Sequence, residues 1–238
     1  MLYTEEAVKA NIRNREGKRV FYLAKEDTLT PGARDWLRSE RVEILDAGKA
    51  KPLQYRLLGG GFSDEKPEHM THLNAEVLVS KTHPRIKFRG AMDTLESEII
   101  LAQLEADRYM SAKLGEVLTL ARKIIRCDVL NEELHEEKLC GLTEREIRER
   151  SHRPQDFYGQ PHFMPEHTDG VLIARLNRVR CAVRNAEICA AHAFSDRDGI
   201  PVRTDIIRAL NRMSSMIYIL MIEIKSGDGK WKSQPWKN

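Results

Sequence analysis

Three charged residues, Arg180, Arg184 and Glu187, are spaced by four and three positions in a run without helix-breaking residues. At about 100° per residue, their side chains project within about 60° of one another on one helix face. Apolar residues flank that face, namely Val179, Val183, Ala186 and Ala190. Two guanidiniums beside an apolar stripe suit a polyanion such as a triphosphate, with Glu187 as the counter-charge that holds one arginine in place. The alternative is an intra-helix ladder of salt bridges.

The composition argues against nucleic acid as a partner. Of the 238 residues, 32% are charged and only 6% are aromatic, and the formal net charge is +3. Lysine and arginine are interleaved with aspartate and glutamate, so no basic, aromatic surface stands out for nucleic acid. We therefore expect no nucleic-acid partner.

The sequence contains no pattern for membrane insertion or secretion. No apolar run reaches the length of a membrane span, and the N-terminus lacks the basic and apolar pattern of a secretory signal. We expect a cytoplasmic protein with no membrane partner.

The four cysteines, at positions 127, 140, 181 and 189, are scattered and include no Cys-x2-Cys pair, which predicts neither a disulfide framework nor a zinc site.

The first 48 residues predict a small α/β module. Segments 18–23 and 41–45 are rich in β-forming residues, and Thr30-Pro31 between them begins a helix that runs through Arg38. A short helix over residues 4–14, capped by Thr4, precedes this strand–helix–strand unit. Residues 49–70 are rich in glycine, proline and charge, which predicts a linker or mobile loop.

From residue 90 onward, apolar residues recur at three- and four-residue spacings, which predicts long amphipathic helices. The first stretch is one long helix or two helices with a break near residues 112–115. Thr143 and Glu146 match a capping box, which predicts a short helix to Arg150.

Two further helices complete the expected fold. Thr168 or Asp169 is expected to cap a helix that ends near Phe194, and a last helix covers about residues 202–225. A polar tail, 226–238, follows. Long helices with short connections predict a mainly α fold, a helical bundle of about five helices over residues 71–225.

Four motif segments occur in order along the helical part. They are Thr71-x-Leu73 with Lys81 and Pro84-Arg85-Ile86, then Gly90-x2-Asp93, then Phe163-x-Pro165 with Arg180-x3-Arg184-x2-Glu187, and finally Leu210-Asn211-Arg212-Met213-Ser214. This series resembles the ATP:corrinoid adenosyltransferases over residues 18–225. The Leu29-Thr30-Pro31 opening and the Thr71-His72-Leu73 segment are similar to the ethanolamine-utilisation branch of that family.

The resemblance implies a fold, a reaction and partners. The fold would be a cobalamin-adenosyltransferase-like helical bundle, and the reaction would transfer the 5′-deoxyadenosyl group of ATP to cob(I)alamin, giving adenosylcobalamin. Implied partners are Mg²⁺ with the ATP, a flavin-type reductase and an adenosylcobalamin-dependent lyase, ethanolamine ammonia-lyase in this branch. The resemblance also implies a homo-oligomer, a trimer or a dimer, with the site at the subunit interface.

Two other classes of function stay open on the sequence. One is a non-catalytic protein that delivers adenosylcobalamin or senses ATP. The other is a scaffold or shell-associated helical protein. Residues 4–14 are accordingly either an address for a bacterial microcompartment or a simple N-terminal cap.

The resemblance assigns ATP contacts to four residues, Thr71, Lys81, Arg184 and Asn211, with Glu187 beside them. Lys81, Arg180 and Arg184 are suited to neutralise the charge that develops on the leaving triphosphate. The chemistry requires no protein nucleophile or general base, in agreement with the lack of a Ser-His-Asp or Cys-His pattern. Asp93 is implied to pair with an arginine of the neighbouring subunit, and Arg212 to have a structural role there.

The resemblance also assigns an aromatic residue to the lower face of the corrin. Phe163 matches it, and by displacing the nucleotide base it would leave cobalt four-coordinate and easier to reduce. Tyr158 or Phe157 is the alternative, because the spacing from Phe163 to the arginines is about one residue longer than usual. His152 and His162 flank this loop, either as part of a lid over the corrin or as plain loop residues.

The chain departs from the family pattern at several positions. Ser215 stands in place of an aspartate and Asn185 in place of a second arginine, and the glycine-rich phosphate loop of the wider family is absent. Gly59–Gly61 either does part of the work of that loop or has no such role. Many members of the ethanolamine branch carry a His…Cys-Cys-x2-Cys metal cluster before Thr-His-Leu. Residues 46–70 contain His69 and no cysteine. We therefore expect no transition-metal site, only Mg²⁺ bound with ATP.

Overall fold

A computed structural model describes residues 1–15, 17–49, 55–135, 138–196 and 198–227 of the chain. The chain divides into two compact units, Met1–His83 and the residues from Pro84 onward. Each unit has its own hydrophobic core. The described residues are mainly helical, with a mixed β-sheet confined to the first unit.

The first unit combines a seven-stranded sheet with two helices. Its elements are β1 (Leu2–Tyr3), α1 (Glu5–Ala10), β2 (Arg13–Arg15), β3 (Lys18–Leu23), β4 (Thr28–Leu29), α2 (Pro31–Ser39), β5 (Glu43–Asp46), a 3-10 helix (Ala47–Lys49), β6 (Tyr55–Leu57), β7 (Phe62–Ser63), β8 (Met70–His72) and β9 (Val77–Ser80). The strand order is β5-β3-β2-β7-β6-β9-β8, and β1 pairs with β4 outside this sheet. β3 and β5 are parallel with α2 in their connection, which is the strand–helix–strand arrangement that the sequence predicts.

Local capping sets the helix starts in this unit. The Ala33 N–H donates a hydrogen bond of 3.2 Å to Oγ1 of Thr30, and Pro31 lies in the first turn of α2. Thr4 caps α1 in the same way. Helix α1 ends at Ala10 instead of residue 14, because the residues that follow join the sheet as β2.

The segment 49–70, which the sequence predicts to be a linker, contains strands β6 and β7 and the start of β8. Residues 50–54 lie outside the described residues. Glycines 59–61 form the turn between β6 and β7, in which the Leu57 N–H donates to the Gly61 carbonyl at 3.1 Å. Gly61 has φ +80°, and a Cβ there would lie 2.2 Å from the Ile12 carbonyl oxygen, so this position requires glycine. Strands of two and three residues show no alternation that a sequence pattern could reveal.

The second unit is helical. Its elements are α3 (Pro84–Leu104), α4 (Arg108–Leu130), β10 (Lys138–Leu139), β11 (Leu142–Thr143), α5 (Glu144–His152), α6 (Pro154–Tyr158), a 3-10 helix (His167–Asp169), α7 (Val171–Ala193) and α8 (Thr204–Ser226). Its described residues thus contain six α-helices where the sequence predicts about five. Four of them are 21 to 23 residues long, and their apolar faces form one core.

Helix boundaries in the second unit differ from the predicted ones where long-range contacts intervene. The break between α3 and α4 lies at residues 105–107, not at 112–115, and Asp107 caps α4 by accepting from the Met110 N–H at 2.8 Å. The predicted capping box of Thr143 and Glu146 is present. Neither Thr168 nor Asp169 caps α7, because the N-cap residue is Gly170 and no side chain caps this helix. The Asp169 carboxylate instead binds the Glu166 N–H and the Lys225 ammonium.

The sequence analysis also predicts a polar C-terminal tail and no membrane-spanning segment. The polar tail predicted over 226–238 lies outside the described residues from 228 onward. Among the helices of the described ranges, none has the length and apolar character required to cross a membrane.

Candidate functional site

Helix α7 carries the arginine face. The flanking apolar residues Val179, Val183, Ala186 and Ala190 are all buried, as the sequence predicts. Arg180 is half-buried, whereas Arg184 is exposed and has no ion-pair or hydrogen-bond partner among the described residues. The two guanidiniums therefore have different environments on one helix face, and an exposed, unpaired Arg184 is available to an anion.

Arg180 stacks on an aromatic ring. Its guanidinium carbon lies 5.0 Å from the centre of the Tyr218 ring, and its Nε is buried with no hydrogen-bond partner among the described residues. Leaving a buried donor unsatisfied costs roughly 1–3 kcal/mol. An anionic ligand that accepted from this Nε–H would relieve that cost.

Glu187 has a different partner from the one the sequence predicts. Its Oε1 accepts a hydrogen bond of 3.0 Å from Nδ2 of Asn211 on α8. In the described residues it forms no ion pair with Arg180 or Arg184, so its predicted role as counter-charge to an arginine is corrected. The contact instead joins two residues that the sequence analysis assigns to ATP.

Phe163 and Arg180 share one cavity of about 360 Å³. The cavity is lined by residues from α5, the loop before α7, α7 itself and α8, namely Ser151, His152, His162, Phe163, Met164, Arg180, Ser214, Ser215 and Tyr218. The fold thus brings Phe163, the expected corrin wedge, next to Arg180, one of the three residues expected to contact the triphosphate. Ser215, which replaces the family's aspartate, lines the same cavity.

Contacts from α8 hold Phe163 in the cavity wall. Its N–H donates to the Tyr218 hydroxyl at 3.2 Å, and the two rings stack with centres 5.9 Å apart and an angle of 25° between their planes. The Lys225 ammonium lies 4.6 Å from the Phe163 ring centre and binds Asp169 at 2.5 Å. A fixed aromatic ring, with the 84% exposed Met164 beside it, suits a large flat ligand.

The alternative aromatic residues are less suited to that role. Tyr158 packs against the helical core and is not among the described residues that line the cavity. Burial raises the pKa of its phenol. Phe157 is exposed, and the guanidinium carbons of Arg150 and Arg153 lie 5.6 and 5.8 Å from its ring centre. Phe163 is therefore the best-placed wedge of the three.

The first unit carries Thr71 and Lys81. Thr71 lies in β8 and pairs with Val79 of the antiparallel strand β9. Lys81 follows β9 directly, is exposed, and donates its backbone N–H to the His69 carbonyl at 2.9 Å. Both residues therefore lie at the same end of the β8–β9 hairpin, and the Lys81 ammonium is exposed at that end.

Asp93 and Arg212 are not among the described residues that line the cavity of Phe163. Asp93 is exposed on α3. Arg212 forms an ion pair with Glu144 at 3.2 Å and lines a second, larger cavity of about 600 Å³. Arg212 is thus separated from its sequence neighbour Asn211, which faces α7.

Two features of the second unit were not found from the sequence. One is Tyr218, which lies seven residues after Asn211 and hence close to the same face of α8. Asp128 is fully buried, and its carboxylate accepts from Nε of Arg85 at 2.8 Å and from Nε of Arg89 at 2.7 Å. A buried aspartate between two arginines has no local signal, because its partners lie on another helix.

No group of three or more His, Cys, Asp or Glu side chains that could hold a metal ion occurs within the described ranges. All four cysteines are free thiols, and burial raises the pKa of Cys140 to about 12.

Comparison with known proteins identifies the class. Residues 62–224 match the family model for cobalamin adenosyltransferases, so the chain belongs to the cobalamin adenosyltransferase family. It is 31% identical over 242 residues to the corrinoid adenosyltransferase EutT of Salmonella typhimurium, a match that covers 92% of this chain and 90% of the relative. It is likewise 31% identical over 244 residues to corrinoid adenosyltransferase EutT of Escherichia coli K12, again with 92% and 90% covered. These matches confirm the resemblance drawn from the four motif segments.

Proposed function

We propose that this chain is a corrinoid adenosyltransferase of the ethanolamine-utilisation type, which transfers the 5′-deoxyadenosyl group of ATP to cob(I)alamin. Membership of the family and 31% identity over 92% of the chain support this activity. The structural observation that carries the proposal is the shared cavity of Phe163 and Arg180. In this cavity the Phe163 ring lies near a guanidinium whose Nε–H has no partner among the described residues, which supports binding of a corrin beside an anion.

The reaction is a displacement at carbon. The electron pair of the Co(I) substrate attacks C5′ of ATP, a Co–C bond forms, and the C5′–O bond breaks so that triphosphate leaves with the bonding electrons. The protein has to stabilise negative charge that grows on the leaving group. Arg180 and Arg184 of α7 supply cations for this, and Lys81 is the third cation that the family resemblance assigns to ATP.

Phe163 acts on the corrinoid before the transfer. One electron from a reduced flavin converts Co(II) to Co(I), and this is feasible once the lower axial ligand is absent. An aromatic ring against the lower face excludes water and the nucleotide base. The stacking of Phe163 on Tyr218 and the Lys225 contact hold the ring for that purpose.

Several finer properties belong to the same proposal. Mg²⁺ accompanies ATP, no transition metal is bound, and the four long helices form the adenosyltransferase bundle. Asp93, exposed on α3, pairs with an arginine of a neighbouring subunit in a trimer or dimer. The product serves an adenosylcobalamin-dependent lyase, ethanolamine ammonia-lyase, in the cytoplasm or in a bacterial microcompartment.

The proposal is tested by anaerobic incubation of the full chain with ATP, Mg²⁺ and chemically reduced cob(I)alamin. We expect the absorption spectrum of adenosylcobalamin to develop and to be lost on exposure to light. A reaction without protein and one without ATP are the controls. Binding of both substrates without any such product would contradict the proposal and favour a delivery or sensor protein.

A further inference from the structure

We infer that Tyr218 is a positioning residue, which fixes the positions of the Phe163 ring and the Arg180 guanidinium relative to each other. This inference rests on the proposed function. Tyr218 is only 9% exposed, and it lies on α8, between the loop of Phe163 and helix α7. Its hydroxyl contacts the loop, and its ring contacts both the loop and the guanidinium. One side chain thus connects the corrin side of the cavity to the triphosphate side.

The donor and the acceptor of each hydrogen bond of the Tyr218 hydroxyl can be assigned. The Phe163 N–H can only donate, so the hydroxyl oxygen accepts from it at 3.2 Å. The hydroxyl proton is then free to bond Nδ1 of His162, also at 3.2 Å. Nε2 of His162 lies 3.2 Å from the His152 carbonyl and donates to it. A neutral His162 with its proton on Nε2 satisfies every member of this chain.

The ring of Tyr218 has a separate role. Its centre lies 5.9 Å from that of His162, with planes at 8°, and 5.9 Å from that of Phe163. The Arg180 guanidinium lies 5.0 Å from the same ring centre, a cation–π distance that orients the guanidinium without occupying its N–H groups. The hydroxyl therefore positions the wedge loop, whereas the ring positions both the wedge and the arginine.

These two roles can be separated by substitution. Tyr218→Phe keeps the ring and removes both hydrogen bonds of the hydroxyl. We expect turnover to fall about tenfold when cob(II)alamin must be reduced on the enzyme, and to change less than about twofold when cob(I)alamin is supplied. KM for ATP should not change. Tyr218→Leu removes the ring as well and should also raise KM for ATP.

The experiment measures kcat and KM of the full chain in both assays, together with the EPR spectrum of bound cob(II)alamin. The four-coordinate signal should weaken in Tyr218→Phe and persist in the matched control Tyr109→Phe, an exposed tyrosine of α4. Adding Tyr218→Phe to Phe163→Ala should cause no further loss, because both act on the same wedge. His162→Ala, a change at an exposed position, should reproduce part of the Tyr218→Phe effect without risk to the core.

The outcomes distinguish this inference from the proposed function. If the wild-type chain forms adenosylcobalamin while Tyr218→Phe equals it in both assays, Tyr218 only packs the core and the inference is wrong. Equal loss in both assays, with an unchanged EPR spectrum, would overturn it as well. Failure of the wild-type chain to form the product would refute the proposed function, and the inference with it.

Discussion

At the scale of single residues, the two arginines of α7 differ in what surrounds them. Arg180 is half-buried on the Tyr218 ring with an unsatisfied Nε–H, and Arg184 is exposed. Stability should therefore depend little on Arg184, and activity should depend on it strongly. The structure also gives Glu187 an amide partner, Asn211, in place of a guanidinium.

Arg184→Lys should reduce kcat/KM at least about tenfold although the charge is conserved, because an ammonium cannot reproduce the bidentate geometry of a guanidinium. The free energy of unfolding should change by less than about 0.5 kcal/mol. Steady-state assays and urea unfolding measure the two quantities. Arg175→Lys, on the opposite face of α7, is the matched control, and near-wild-type turnover of Arg184→Lys would remove the triphosphate role from this residue.

At the scale of elements, a buried ion cluster joins α3 to α4. Both oxygens of the Asp128 carboxylate bind arginines of α3, at 2.8 Å for Arg85 and 2.7 Å for Arg89, and Asp128 is fully buried. Removing one partner of a buried ionic cluster leaves the remaining charges uncompensated. The cluster therefore fixes the start of α3 against the end of α4.

Asp128→Asn should accordingly lower the free energy of unfolding by about 3 kcal/mol or more, as measured by urea denaturation. The control is Asp156→Asn, in which an exposed ion pair with Arg153 at 3.9 Å is removed; its effect should stay below about 1 kcal/mol. Similar, small effects of the two substitutions would show that the buried cluster does not stabilise the fold.

Elements with local signals could be predicted from the sequence, and elements that depend on distant residues could not. The helix caps of Thr30 and Thr143 are predictable, because the partner of each lies only three positions further along the chain. Asp169 resembles a cap in the sequence, yet its carboxylate binds Lys225 of α8. The motifs likewise indicate Phe163 and Arg180 as separate site residues. That both contact Tyr218 could not be predicted, because this contact depends on how α8 packs against α7 and the loop before it.

At the scale of the whole molecule, the family match begins at residue 62, within the first unit. The hairpin of β8 and β9, with Thr71 and Lys81, therefore lies within the residues that match the family. The residues before β7 contain the strand–helix–strand arrangement of β3, α2 and β5.

The metal content of the purified chain is a second property of the whole molecule. Residues 46–70 contain no cysteine, so the cluster that many members of the ethanolamine branch carry cannot form there. We expect elemental analysis to find less than stoichiometric zinc and iron, and Mg²⁺ to restore full activity after treatment with a chelator. One bound zinc or iron per chain would contradict this expectation.

The central claim is that Phe163, in the same cavity as Arg180, makes the bound corrinoid reducible. Burial of a phenyl ring at the lower corrin face contributes roughly 1.5–3 kcal/mol toward the four-coordinate state. The measurement that tests this most directly compares Phe163→Ala with the wild-type chain in two assays, one starting from cob(II)alamin with a reduced flavin and one from cob(I)alamin. We predict a loss of about ten- to a hundredfold in the first assay and near-wild-type turnover in the second. Equal losses in both assays would contradict the claim, and would mean that Phe163 only packs the loop before α7.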